Sequence, residues 1–146
     1  MTERKRAGRL AAAMAKMAKE RGDLFATECP SRSVLDHVTS RWGVLALIAL
    51  QDGTHRFSEL RRKIGGVSEK MLSQTLQALE RDGLVLRVAH PVIPPHVDYS
   101  LTPMGSEVAA HVEALAEWIE QNMSRIAAAR DQFEAAKVPC SRVRDA

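Results

Sequence analysis

A pair of glycines, Gly65 and Gly66, separates two short segments that each carry a single apolar face. Apolar residues recur every three or four positions in Phe57–Ile64 and in Glu69–Arg81, which is the spacing of an amphipathic helix. Because glycine tolerates the left-handed backbone of a tight turn, the pattern predicts two helices joined by a sharp turn. Ser68 is placed to cap the second helix. The apolar positions are Phe57, Leu60 and Ile64, followed by Leu72, Leu76 and Leu79.

The sequence before these two helices predicts two further helices. Residues 31–40 place Val34, Leu35 and Val38 on one helical face. Trp42 and Gly43 interrupt the pattern, and residues 44–50 form a short apolar run that would also suit a buried strand. Their leucine and alanine content favours a buried helix. Ser58 lies early in its own segment, where its hydroxyl is predicted to cap.

The sequence after the pair predicts a hairpin and a last helix. Residues 85–88 and 97–101 have the β-branched content of strands. Three prolines between them argue against regular structure there, so we expect a hairpin with a stiff, extended tip. Thr102 followed by Pro103 marks a helix start, because proline at the first helical turn has no N–H to lose.

The 146 residues fit one domain with appended segments. We divide the chain into a basic N-terminal extension (1–28), a central domain (29–105), a last helix (106–130) and a tail (131–146). The extension, either a loose helix or disordered, contains Arg4, Lys5, Arg6 and Arg9. The net charge of +3 does not by itself establish a nucleic-acid partner.

Several classes of protein are disfavoured by what the sequence lacks. Cys29 and Cys140 are too few for a secreted disulfide scaffold. No apolar run approaches the roughly 18 residues of a membrane span, and the start lacks the apolar core of a signal peptide. We therefore expect a cytoplasmic location and no membrane contact. With no phosphate loop, catalytic carboxylate pair or nucleophile elbow, we expect neither an enzyme nor a cofactor.

The predicted order is helix, helix, glycine turn, helix, hairpin and long helix. This order is typical of a winged helix-turn-helix, a mainly α fold with a small β-hairpin wing. In such a fold the second helix of the pair enters the major groove of double-stranded DNA, and the wing reaches the backbone or the minor groove. A winged helix that binds protein instead of DNA is an alternative.

The face of Glu69–Arg81 opposite its leucines carries amide, basic and hydroxyl side chains. Glutamine can form hydrogen bonds to adenine, and lysine or arginine can form them to guanine or phosphate, so this composition favours base recognition. An ordinary solvated helix surface is the alternative. The predicted DNA contacts are Arg56, Ser58, Arg62, Ser68, Lys70, Ser73, Gln74, Gln77, Arg81, Arg87, His90 and His96. The two histidines invite a metal interpretation, but with no acidic or thiol partner evident nearby we predict no metal site.

The last helix carries an apolar stripe that is long for so small a domain. A second copy of the chain is the simplest partner to cover it, so we predict a homodimer. Packing within its own domain is the alternative. The predicted interface consists of Val108, Val112, Leu115, Trp118, Ile119, Met123 and Ile126.

The sequence resembles the HxlR-type (DUF24) family of bacterial regulators over roughly residues 29–122. The matching residues are Cys29-Pro30, Leu35, Arg41-Trp42, Arg56-Phe57-Ser58-Glu59-Leu60, Val67-Ser68-Glu69-Lys70-Met71-Leu72, Leu76, Leu79-Glu80-Arg81-Asp82-Gly83-Leu84 and Tyr99-Ser100-Leu101-Thr102-Pro103-Met104-Gly105. The resemblance implies a dimeric transcription factor whose terminal helices build the dimer, often with redox or electrophile sensing at the cysteine that aligns with Cys29. The sequence departs from the family at Thr39-Ser40-Arg41-Trp42, where Gly-x-Lys-Trp is usual, and in its basic extension and its tail.

Cys29 lies just before the start of a predicted helix, whose N-terminal dipole favours a thiolate. Arg32 acts in the same direction, whereas Glu28 opposes it. A small buried packing residue is the alternative interpretation. The sequence thus predicts a regulator that binds an inverted-repeat operator and responds to oxidants or electrophiles through Cys29. The alternative is a response to a small ligand, with Cys29 only packing; Cys140 is assigned no role.

Overall fold

The computed structural model describes residues 5–12 and 22–137, which form helices and one small antiparallel sheet. Residues 5–12 are helical and are called α1. The later elements are α2 (Pro30–Thr39), α3 (Arg41–Ala49), a 3-10 turn (Leu50–Asp52), β1 (His55–Arg56), α4 (Phe57–Ile64), α5 (Glu69–Arg81), β2 (Val85–His90), β3 (His96–Leu101), α6 (Pro103–Gln121) and α7 (Met123–Ala136). The predicted fold class, mainly helical with a β-hairpin, is confirmed.

Helix α3 lies at the centre of the domain, which confirms the prediction of a buried helix for residues 44–50. It begins earlier than expected, at Arg41, with the Ser40 hydroxyl accepting the backbone N–H of Gly43. Gly43 is therefore inside the helix and does not interrupt it. A Cβ at this position would lie 2.0 Å from the carbonyl oxygen of His37, so the close approach of α2 requires glycine.

Helices α4 and α5 have the predicted bounds, and the Ser68 hydroxyl accepts the backbone N–H of Met71 at 3.1 Å as an N-cap. The prediction that Ser58 caps α4 is wrong. The N-cap residue is Arg56, and its backbone N–H donates to the Glu59 carboxylate at 3.3 Å. Between the helices, Gly65 and Gly66 have φ of +70° and +72°, the left-handed conformation that glycine supplies.

The hairpin strands are longer than predicted, and a third strand joins them. Pairing of β2 with β3 continues to His90 opposite His96, so only residues 91–95, with the three prolines, form the turn. Strand β1 pairs with the other edge of β3, giving the order β1–β3–β2. Two residues are too few to show strand periodicity, which is why β1 was not predicted.

The core is almost entirely aliphatic and joins α3, α5, α6 and the sheet. Among the described residues, the leucines predicted on α5 are fully buried, and Tyr99 of β3 packs with them. Burying one such leucine contributes about 1.5–3 kcal/mol. The core residues are Val38, Ala46, Leu47, Ala49, Leu50, Leu60, Val67, Leu72, Leu76, Leu79, Leu84, Val85, Tyr99, Ala109 and Val112.

The predicted apolar face of α2 is buried only in part. Val38 reaches the core, whereas Val34 and Leu35 remain about 40 % exposed (39 % and 42 %). Helical spacing places these side chains on one face but does not say how much of that face the rest of the domain covers.

The stripe predicted on one last helix is carried by two helices. Thr102 caps α6 by accepting the backbone N–H of Gly105 at 3.0 Å, and Pro103 occupies the first turn as expected. The helix stops at Asn122, and α7 then continues to Ala136. In the described ranges 5–12 and 22–137, no helix is both long and apolar enough to cross a membrane.

Candidate nucleic-acid interface

Helix α5 presents a polar face because its leucines fix its rotation on the core. Leu72, Leu76 and Leu79 are buried, so the opposite side of the helix must face outward. The predicted contacts on this helix are all exposed: Lys70, Ser73, Gln74, Gln77 and Arg81.

One groove runs between α5 and the wing. It is lined by Ser73 and Gln77 from the helix and by Arg87 from β2, three of the predicted DNA contacts. Glu80, which was not among the predicted contacts, lines the same groove. An amide, a guanidinium and a carboxylate group therefore line the same groove.

A second groove joins the start of α4, α5 and the tip of the wing. It brings together Arg56, Ser58, Ser73 and His96, which are distant in sequence. The pairing of β1 with β3 explains this proximity, since Arg56 lies opposite Asp98 in the sheet. Pro94 and Pro95 complete the wall.

The basic residues at the end of α4 have different roles. Arg61 donates through Nε to the carbonyl of Val67 at 3.0 Å and holds the glycine turn. Lys63 contacts the Asp52 carboxylate and the carbonyl of Ala49. In the part of the chain that the structure describes, Arg62 has no such partner; with Ser58 and Ser68 it lines the surface over the turn.

Gln74 lies in a different groove from Gln77. Its neighbours are Asp36, His37 and Ser40 from the region of α2, together with Thr75 on its own helix. The two glutamines predicted as base contacts share the exposed face of α5 but line different grooves.

The histidines of the wing have an acidic partner, contrary to the premise of the sequence analysis. His90 Nε2 lies 2.8 Å from Asp98 Oδ2, and His96 Nε2 lies 4.0 Å from the same oxygen. Of these two predicted phosphate contacts, His90 is hydrogen-bonded to the carboxylate, whereas His96 lies too far from it for a hydrogen bond. Asp98 could have been found from its spacing, since residues 96 and 98 share one face of a strand.

Cys29 is the N-cap residue of α2, as its sequence position indicated. Its Sγ is partly buried and lies 3.3 Å from the Ser31 hydroxyl. Hydrogen bonds from the Ser31 hydroxyl and backbone N–H lower the pKa of the Cys29 thiol below its ordinary value. Arg32, which was predicted to lower the pKa of the thiol, is not among the causes of this shift, and its Nε donates to the carbonyl of Leu24. The opposing charge is that of Asp23.

The predicted dimer surface is narrower than the sequence indicated. Val112 belongs to the core and is not available to a partner, and Val108 is partly buried against that core. Leu115 and Trp118 are about half exposed, at 53 % and 54 %. Of the other predicted interface residues, Leu115, Trp118, Ile119 and Met123 are exposed and Ile126 is partly buried; Met104 on α6 and Phe133 on α7 are also exposed but were not predicted. Cys140 lies outside the described residues.

Helices α4 and α5 with their glycine turn are followed by the hairpin β2–β3, which β1 joins to form a three-stranded sheet, and this arrangement defines a winged helix-turn-helix protein. Residues 37–127 match the family described as HxlR-like helix-turn-helix, and the chain belongs to that family. The resemblance seen in the sequence is thereby confirmed.

The relatives of the chain are transcriptional regulators by name. It is 68 % identical over 111 residues to the uncharacterised HTH-type transcriptional regulator YtfH of Escherichia coli, covering 76 % of this chain and 88 % of that protein. A solved structure of a transcriptional regulator, YtfH from Salmonella typhimurium, is 67 % identical and superposes with a TM-score of 0.73, covering 75 % and 98 % of the two chains. The reduced form of the redox regulator HypR is 33 % identical with a TM-score of 0.62, covering 68 % and 98 %.

Proposed function

We propose that the protein is a cytoplasmic transcriptional regulator that binds an inverted-repeat DNA operator as a homodimer, with helix α5 in the major groove and the wing on the flanking backbone. The observation that carries this proposal is the groove in which Ser73, Gln77 and Arg87 lie together. Base recognition needs amide or basic groups on an exposed helix next to cations that fix its register on the phosphates.

The exposed apolar surface of α6 and α7 supports the dimer. Leu115, Trp118, Ile119 and Met123 recur at helical spacing on the two terminal helices and are exposed, outside the core. A two-fold dimer presents two copies of α5, which calls for two half-sites roughly 10 base pairs apart, centre to centre.

Selection from random DNA duplexes tests this proposal. We expect an enriched inverted repeat with that half-site spacing, and an affinity that falls steeply as salt rises because phosphate contacts release counterions. Selection without any enriched repeat would exclude a sequence-specific regulator. DNA binding that does not depend on salt would favour the alternative, a winged helix that binds protein instead of DNA.

We further infer that Cys29 transmits an oxidant or electrophile signal. Its lowered pKa favours the reactive thiolate, and its helix, α2, reaches α5 through the contact between His37 and Asp82. A chemical change at the start of α2 thus has a direct route to the recognition helix. The likeness to HypR, described as a redox regulator, supports the same inference.

The proposed response of Cys29 is tested by titrating diamide, hypochlorite and a quinone in a DNA-binding assay. Diamide would take two protons and two electrons from a pair of Cys29 thiols, one from each subunit, and leave a disulfide. We expect the wild type and Cys140→Ser to change DNA affinity, and Cys29→Ser to lose the response. If Cys29→Ser responds as the wild type does, Cys29 only packs and the signal enters elsewhere, as the small-ligand alternative requires.

A further inference from the structure

The outer face of the wing carries two imidazoles and a carboxylate close together. His90 and His96 lie directly opposite each other in the β2–β3 ladder, and Asp98 follows His96 by two residues. Directly paired residues share a face of the sheet, as do residues two apart on one strand. Tyr99, the next residue, points into the core, so the three polar side chains occupy the opposite face.

The distances between these groups are close to those of a metal site. One ligand atom from each of His90, His96 and Asp98 lies within 4.8 Å of the other two. The imidazole rings are stacked with centroids 4.6 Å apart, and both Nε2 atoms face the Asp98 carboxylate. Metal–ligand bonds of about 2.0–2.1 Å with tetrahedral angles place ligand atoms about 3.3 Å apart. Small side-chain rotations therefore suffice to complete the set.

The site is neither deeply buried nor fully open. The side chains of His90, His96 and Asp98 are 39 %, 25 % and 25 % exposed. An ion can therefore enter from solvent without opening the core. The turn residues 91–95 separate the two histidines in sequence, so closing the site requires the hairpin to be formed.

We propose that His90, His96 and Asp98 bind a divalent transition-metal ion of the zinc type at the wing. Imidazole nitrogen with carboxylate oxygen is a donor set that zinc accepts, and three protein ligands leave one position for water or another oxygen ligand. The His90 Nε2 that now hydrogen-bonds to Asp98 would bind the ion instead. This proposal goes beyond the operator-binding function and stands whether or not the chain binds DNA.

Metal titration of the full chain tests the site directly. In a Cys29→Ser, Cys140→Ser background, which removes both thiols as ligands, we expect one Zn²⁺ or Co²⁺ per chain by calorimetry. Tetrahedral Co²⁺ should give visible d–d absorption. His90→Ala, His96→Ala and Asp98→Asn should each weaken binding by more than about tenfold, the scale seen even for groups that only support a ligand. His111→Ala, an exposed histidine on α6, is the matched control and should bind as the parent does.

Nuclear magnetic resonance of the histidine rings keeps the test independent of any variant's stability. Zn²⁺ should shift the imidazole signals of His90 and His96 and leave those of His37, His55 and His111 in place. The proposal is overturned if the chain takes up no ion, if His111→Ala loses as much affinity as His90→Ala, or if the shifted signals belong to other histidines.

Discussion

His37 Nδ1 lies 2.6 Å from Asp82 Oδ2, and this contact joins helix α2 to the residue that ends the recognition helix α5. The Asp82 side chain is only 13 % exposed, so the hydrogen bond is made largely out of water. It fixes the end of α5 against the helix whose N-cap is Cys29. The recognition helix is thereby held at both ends, by the Ser68 cap at its start and by α2 at its finish.

The first prediction concerns the free-energy contribution of that contact. We expect a double-mutant cycle of His37→Ala and Asp82→Asn to give a coupling of about 1 kcal/mol in the free energy of unfolding. Urea denaturation at one fixed protein concentration measures it, since dimer formation would make stability depend on concentration. The more exposed pair Arg61–Glu69 serves as the control and should couple less. A coupling of zero would mean that the contact does not hold α2 to α5.

The second prediction concerns the start of α6. A Cβ at Gly105 would lie 1.9 Å from the carbonyl oxygen of Leu84, which is backbone and cannot rotate away. We expect Gly105→Ala to lower the free energy of unfolding by about 1–3 kcal/mol or more, because the helix must move off the sheet. Ser106→Ala, at the exposed next position, should change stability by less than about 0.5 kcal/mol. Equal effects of the two substitutions would contradict this packing.

The third prediction concerns the reactivity of Cys29. Hydrogen bonds from Ser31 lower the pKa of its thiol, so the thiolate forms at a lower pH than in an ordinary cysteine. In a Cys140→Ser background, the rate of iodoacetamide alkylation should reach its half-maximum below the pH found for a small-molecule thiol. Ser31→Ala should move that midpoint to higher pH, whereas Ser33→Ala on the exposed side of α2 should not. No movement with Ser31→Ala would assign the lowered pKa to another cause.

The fourth prediction concerns the dimer. Leu115→Asp with Ile119→Asp should convert it to a monomer, because burying unpaired carboxylates costs several kcal/mol. Sedimentation equilibrium at micromolar concentration should give twice the chain mass for the wild type and once for the variant. Ala110→Asp places a carboxylate on an exposed part of α6 away from this surface and should leave the dimer intact. A monomeric wild type would refute the proposed assembly.

The fifth prediction separates base recognition from phosphate contact. Gln77→Ala should relax preference at particular base pairs, at about 1–3 kcal/mol for each lost bidentate contact, and Gln74→Ala should do so at other positions. Arg62→Ala should weaken all sequences alike and reduce the salt slope by about one. Arg130→Ala, an exposed cation on α7, is the control. If Gln77→Ala weakened every sequence equally, its side chain would not read bases.

Local patterns were enough to predict α4 and α5 to the residue. Their apolar spacing, the Ser68 cap and the glycine turn all act within a few residues, so no knowledge of the rest of the fold is needed. Gly43 shows the opposite case. Its role depends on the carbonyl of His37 passing close by, a contact between helices that the sequence pattern does not contain.

The functional surfaces also include some that local sequence patterns predict and some that depend on contacts between distant elements. The exposed face of α5 follows from its leucines, whereas the cluster of His90, His96 and Asp98 depends on hairpin pairing that extends further than the prolines indicated. The apolar stripe on α6 was visible in the sequence. The sequence did not show how much of this stripe the protein's own core covers, as it does at Val112. That coverage depends on how α3 and α6 pack against each other.

Strand β1 ends at Arg56 and α4 begins at Phe57, with no residue between them. Because β1 is also a strand of the wing's sheet, the wing and the helix pair are not separable modules for protein engineering. Extra residues inserted at 53–54, after the 3-10 turn, would lengthen the connection into β1, whereas one residue inserted after Arg56 would break either the pairing with Asp98 or the start of α4. A chimera that takes its helix pair from a relative must therefore bring that relative's β1 with it and match it to the β3 it will join.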